Sequence, residues 1–158
     1  MFDGALYLGH DARILQLCAQ GRLAEARVLH AGRHARPPID WSWLSATCLR
    51  AAAMAALDHQ PECHTLYRTL LPYRGRISGV SGIICTGPVD WYLALLATTT
   101  DHHEAATEHL RTLQRLATEN NLTWWHDRAT EALRRPANLR LQLTVGGAGS
   151  RPGPARAR

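Results

Sequence analysis

Apolar residues recur at helical spacing through most of the chain, and glycine, proline or asparagine stands wherever the rhythm breaks. Leu8, Ala12, Leu15 and Cys18 share one face of a helix over residues 6–19, which Gly21 ends. A second helix from Leu23 to about Ala35 carries Leu23, Ala26 and the small residues Ala24, Val28 and Ala31, and Pro37-Pro38 stops it. Asp40 is placed to cap a third, striped by Leu44, Cys48, Ala51, Ala52 and Ala55. Pro61 suits the first turn of a fourth, whose Cys63, Leu66, Tyr67 and Leu70 run on to Pro72.

Residues 75–87 hold four glycines and a short β-branched stretch, which predicts an ordered loop or a small hairpin. A fifth helix opens at Pro88 with the cleanest stripe of all, Val89, Tyr92, Leu93, Leu96 and Ala97, and must be well buried. Asp101 with Glu104 three residues on forms a capping-box pattern for a sixth, faced by Ala106, Leu110, Leu113 and Ala117. A seventh, from about Trp124 to Arg135 behind a Thr123 cap, presents Trp125, Ala129, Ala132 and Leu133. After Pro136 the period changes to two, with Leu139, Leu141, Leu143 and Val145 reading as a strand and the last stretch as disorder.

One short pattern recurs at the helix joints. Gly21 opens GRLAEA, and Asp58 and Asp101 stand at the same place in two further copies, 37 and 43 residues on. Those spacings approach the ~34 residues of a tetratricopeptide unit. The expected fold is therefore all-α, a tetratricopeptide-like stack of helix hairpins (an α-solenoid) of about seven helices over residues 1–135, with an irregular Arg-rich tail over 136–158.

The net charge of +5 misleads. All 18 cationic residues are arginine, and Arg134, Arg135, Arg140, Arg151, Arg156 and Arg158 lie beyond the last acidic residue, Glu131. The first 133 residues carry 12 Arg against 13 Asp and Glu, so a basic footprint across the folded part is not supported. Nucleic acid would be met only nonspecifically, through the tail. Without lysine there is no Walker, Schiff-base or general-base lysine. Cys18, Cys48, Cys63 and Cys85 include no CxxC and fit buried thiols in a reducing compartment, and no leader or membrane-length apolar run is present. A cytoplasmic protein is expected.

Leu66–Ala117 resembles the tetratricopeptide-like region of large actinobacterial ATPase transcription regulators of the LuxR kind and their adenylate-cyclase-linked relatives. The resemblance rests on LLPY-x-G at Leu70–Gly75, CTGP at Cys85–Pro88 and EAATEHL at Glu104–Leu110. In that family the helical array relays binding of an inducer or partner to an NTPase module. This chain has no phosphate-binding loop, cyclase segment or helix-turn-helix reader, so only the scaffold carries over, as a free-standing or truncated copy of the repeat region.

The chemistry-bearing residues favour bland readings. His102, His103 and His109 with Glu104 and Glu108 lack the H-E-x-x-H spacing of a zinc helix, and His102 with His109 reads as a solvated surface pair. Cys63-His64 with Cys85 reads as buried thiols rather than a nucleophile and base. The glycines at 75, 79, 82 and 87 beside Arg74 and Arg76 read as turn formers rather than a phosphate cradle. No catalytic residue, metal or cofactor is expected.

Helical stacks bind partners through aromatic and arginine side chains. Trp43, Arg50, Trp91 and Leu95 are the candidate groove residues, and Trp124 and Trp125 mark an uncapped end suited to self-association or a protein partner. The sequence thus points to a non-enzymatic interaction or sensory scaffold of a bacterial regulatory system, the alternative being a nucleic-acid-associated regulator acting through its tail.

Overall fold

A computed structural model describes residues 3–32, 39–80, 84–135 and 139. Seven α-helices account for most of them: α1 (Asp3–Ala19), α2 (Leu23–Ala31), α3 (Trp43–Leu57), α4 (Gln60–Leu70), α5 (Val89–Thr99), α6 (His103–Glu119) and α7 (Thr123–Arg134). A 3-10 turn, Leu71–Tyr73, follows α4. Between α4 and α5 lies the small hairpin, β1 (Ile77–Val80) antiparallel to β2 (Ile84–Pro88), pairing Ile77 with Pro88 and Ser78 with Gly87. A bulge after Ser78 takes up the extra residue, Thr86, on β2. The last expected turn of α2, to Ala35, lies outside the described residues, as does the strand expected after Pro136 apart from Leu139, which is buried in the core.

The recurring joint residues share one conformation. Gly21, Asp58 and Asp101 all have positive φ (73°, 57° and 60°), and Asn121 is a fourth at 56°. At each joint the N–H of the next residue, Arg22, His59, His102 or Leu122, donates five residues back, to the carbonyl of Leu17, Met54, Ala97 or Ala117 at 2.8–3.0 Å. This is the Schellman closure that satisfies orphan carbonyls at a helix end, and it needs one residue tolerant of the left-handed region. Gly, Asn and Asp are the tolerant types. The chain then re-enters a helix within two residues.

That geometry corrects three expected caps. Asp101 cannot make a capping box with Glu104, because it is the left-handed residue itself; α6 starts after His102 with no side-chain cap. Thr123 is the first residue of α7 rather than its cap. Asp40 instead accepts from the N–H and Oγ of Ser42, at 2.8 and 2.7 Å, closing a turn ahead of α3.

The helices pack in chain order: α1 against α2 and α3, α3 against α4 and α5, α5 against α4 and α6, and α6 against α7. Alanines at 46, 51, 52, 53 and 55 leave α3 slim enough to be approached from several sides. All eleven residues of α5 are buried, and the hairpin packs mainly on α3. In α1 the buried face is Asp11, Ile14, Leu17 and Cys18, with Ala12 exposed, so the stripe is rotated from the expected one. In α2 only Ala26 is fully buried, and Val28 stands in solvent.

The joints make opposite predictions. Gly21 has open space around a would-be Cβ, so Gly21→Ala meets only backbone strain and should lower stability by about 1 kcal/mol. Asn121→Gly relieves the smaller strain of asparagine and should leave stability unchanged or raise it by a few tenths of a kcal/mol, roughly. Urea unfolding of both variants checks this; equal losses would mean that φ is not what these positions select for.

Candidate functional site

The sequence-selected residues fall into three different environments. Leu95 is fully buried and Trp91 nearly so, which corrects their reading as groove residues: α5 is covered on every side and has no free face to line a groove. Trp43 is half-buried and packs its ring 5.5 Å from that of Tyr73, at the start of α3. Arg50, also mostly buried, is held by Asp11 and Glu62 and joins α1, α3 and α4. These residues share no common surface.

Around α7 they do converge. Trp124 and Arg128 are one helical turn apart, so their side chains neighbour each other. The Arg128 guanidinium lies 4.9 Å from the Trp124 ring centroid and 4.5 Å from that of Trp91, sandwiched between two indoles. Burial there lowers the Arg128 pKa, but an arginine starts so high that it stays cationic at neutral pH. Each such stack contributes about 1 kcal/mol.

Trp125, one residue on, points elsewhere. Its ring meets Trp91 and Trp124 edge-on, at 5.9 and 4.6 Å, and lies directly over Gly87. A Cβ on Gly87 would fall 1.9 Å from that indole, and Gly87 has φ +101°, so the position admits only glycine. Trp125 is thus an internal anchor of α7 on β2, not a free contact. Trp124 is left 56 % exposed, a large apolar surface at the edge of a rigid cluster.

A second arrangement carries polar chemistry. Asp90 is fully buried at the start of α5; its Oδ2 accepts the Gly75 N–H at 2.5 Å and its Oδ1 lies 3.0 Å from His109 Nδ1. With Nδ1–H donating to the carboxylate, His109 Nε2 accepts from the Tyr67 hydroxyl at 2.9 Å. His109, read as a solvated partner of His102, is instead buried, because Ala106, Leu110 and Leu113 turn that face of α6 inward. The order hydroxyl, imidazole, carboxylate is that of a nucleophilic relay.

Its outer member decides otherwise. Burial, and then the nearby Glu108 carboxylate, raise the Tyr67 pKa, so the phenol keeps its proton at neutral pH and is a poor nucleophile. A cavity of about 230 Å³ beside Tyr67, lined also by His64, Arg68, Ala97, Thr100, His102 and Ala105, is mainly apolar. The relay ties α4, α5, α6 and the Gly75 turn together, and that is the role its geometry supports.

Burial pushes Cys48 up to about 12, and Cys63 is fully buried on α4. Cys85 on β2 is exposed, which corrects its reading as a buried thiol. Glycine 75 works as a turn former at φ +73°, as its sequence context suggests. What sequence reading missed is Asp90, the buried role of His109, and Arg128: their partners Gly75, Tyr67 and Trp91 lie far along the chain, and only the one-turn spacing of Trp124 and Arg128 is a local signal.

No protein-family model, curated protein or solved structure matches the chain.

Removing Asp90 leaves the buried His109 Nδ1–H unmet, at ~1–3 kcal/mol, and also frees the part-buried Gly75 N–H, which water can reach at lower cost. Asp90→Ala should therefore lower unfolding free energy by about 2 kcal/mol, and Tyr67→Phe, which removes one half-buried bond, by about 1 kcal/mol or less. Chemical denaturation of both gives the ranking; an Asp90→Ala loss no greater than that of Tyr67→Phe would remove Asp90 from the centre of this network.

Proposed function

We propose that this chain is a non-enzymatic interaction module: a tetratricopeptide-like array of helix hairpins that acts as a scaffold in a bacterial regulatory system. Three features support the array. The joints α1–α2, α3–α4 and α5–α6 share one closure, the first helix of each pair packs on the first of the next, and α7 adds a further helix to α6. The regulatory setting rests on the resemblance of Leu66–Ala117 to the helical region of LuxR-type regulators.

The observation that carries the interaction reading is Trp124. A tryptophan more than half exposed, braced by Arg128 and Trp91 and backed by the Trp125 anchor, offers a large apolar contact that loses little conformational freedom on binding. Tryptophan and arginine are the side chains most enriched at binding hot spots. Binding is the better reading than catalysis because the relay found among the described residues ends in a phenol that retains its proton. The partner face is the outer side of α7, and its simplest occupant is a second copy or another helical protein that continues the array. No helix among the described residues is long and apolar enough to cross a membrane.

Burying Trp124 on both sides of a self-contact contributes about 2 kcal/mol per side. Light scattering over a concentration series should therefore show a concentration-dependent dimer that Trp124→Glu abolishes while the helical circular dichroism is kept. A monomer at high micromolar concentration, with no gain in mass, would count against self-association through α7, and a dimer indifferent to Trp124→Glu would place the contact elsewhere.

A further inference from the structure

At the opposite side of the molecule two histidines and a glutamate meet. His30 lies in the last turn of α2, His59 in the joint between α3 and α4, and Glu62 in the first turn of α4. His30 Nε2 is 3.6 Å from Glu62 Oε2, and His59 Nδ1 is 3.9 Å from the same oxygen. One nitrogen from each ring and this oxygen all lie within 4.8 Å of one another. The rings face edge to face with centroids 4.9 Å apart. His59 Nδ1 is buried and makes no hydrogen bond among the described residues, although it points at the carboxylate.

A structural reading leaves this arrangement unexplained. Arg50 already holds Glu62 through Oε1, so the carboxylate needs neither histidine for its charge balance. The distances to the two rings are too long for hydrogen bonds and a little too long for shared ligation. Ligands at 2.0–2.2 Å around a tetrahedral zinc ion stand roughly 3.4 Å apart. The two nitrogen–oxygen distances exceed that spacing by about 0.2 and 0.5 Å, and side-chain rotation would draw the two rings onto one ion.

We infer that His30 Nε2, His59 Nδ1 and Glu62 Oε2 form a binding site for a divalent transition metal of the zinc class, clasping α2 to the start of α4. Two imidazoles and one carboxylate are a known zinc donor set that leaves a fourth position open. Arg50 and Asp11 serve as the outer shell: Arg50 donates to Glu62 Oε1, leaving Oε2 for the metal, and Asp11, 3.5 Å from Arg50, offsets the cation's charge. Coordination requires neutral imidazoles, and Asp11, Glu62 and Arg50 then sum to a single negative charge, which favours a cation. The sequence spacing does not reveal the site, because α2 supplies one ligand from the preceding hairpin. The site stands apart from the α7 face and would brace the α2 end of the array whatever that face binds.

The test is calorimetric titration of the full chain, carrying no added histidines and freed of metal by chelator, with zinc chloride. We expect one equivalent bound at micromolar affinity or tighter, a zinc-dependent rise in Tm, and at least tenfold weaker binding in both His30→Ala and His59→Ala. His64→Ala, a substitution on the far face of α4, should bind as the parent does. Cobalt absorption provides a second readout: a visible band of tetrahedral intensity in the parent, absent in His59→Ala, supports the site even if His30→Ala folds poorly. No binding, or binding unchanged in both the His59→Ala titration and its cobalt spectrum, would overturn the assignment.

Discussion

Everything in this fold is arranged around the complete burial of α5. α3, α4 and α6 pack along it, and Trp125 and Arg128 of α7 cover Trp91. The β1–β2 hairpin packs mainly on α3 and is tied to this centre by hydroxyl bonds. Ser45 on α3 meets Ser78 Oγ at 2.9 Å, Thr86 donates to Ser78 Oγ at 3.0 Å, and Tyr92 on α5 donates to the Thr86 carbonyl. Burying so much backbone polarity without a partner would be costly, and this is why the hairpin's polar groups face inward.

The same burial explains Asp90 and the cluster on α7. A carboxylate inside the core is tolerable only with donors on both oxygens, and Gly75 and His109 supply them. With β2 pinned against α5, Gly87 presents bare backbone on which the Trp125 ring can lie, and Trp91 turns outward just far enough to receive Arg128. The exposed Trp124 with Arg128 is thus set by how the centre is packed, through Trp91.

Much of the helical layout could be read from the chain because periodicity and punctuation are local. The stripes of α3, α4 and α6 and the equivalence of Gly21, Asp58 and Asp101 depend only on residues a few places apart, and each recurs in the structure. Caps misled, since Asp101 and Thr123 carry the right side chains for capping but sit in turns that close through backbone bonds instead. The site residues were legible only in part. Trp124 was visible as an aromatic on the polar side of its helix, whereas Leu95 and Trp91 looked free because no pattern within α5 announces that its second face is covered too, Trp91 by side chains of α7. His109 and the His30–His59–Glu62 cluster gather partners from separate hairpins, which single-sequence spacing cannot register.

The dependence on α5 is tested most directly by native-state hydrogen exchange. Helices with few buried residues open at low free energy, while those at the centre exchange only when the whole domain unfolds. The account predicts that the α5 amides from Leu93 to Ala97, and the Gly75 amide that donates to Asp90, share the slowest exchange and the full denaturant dependence of global unfolding. The α2 amides, with Ala26 alone fully buried, should exchange by opening at markedly lower free energy. Exchange of α5 and Gly75 as readily as α2 would contradict the claim that the fold is built on this helix.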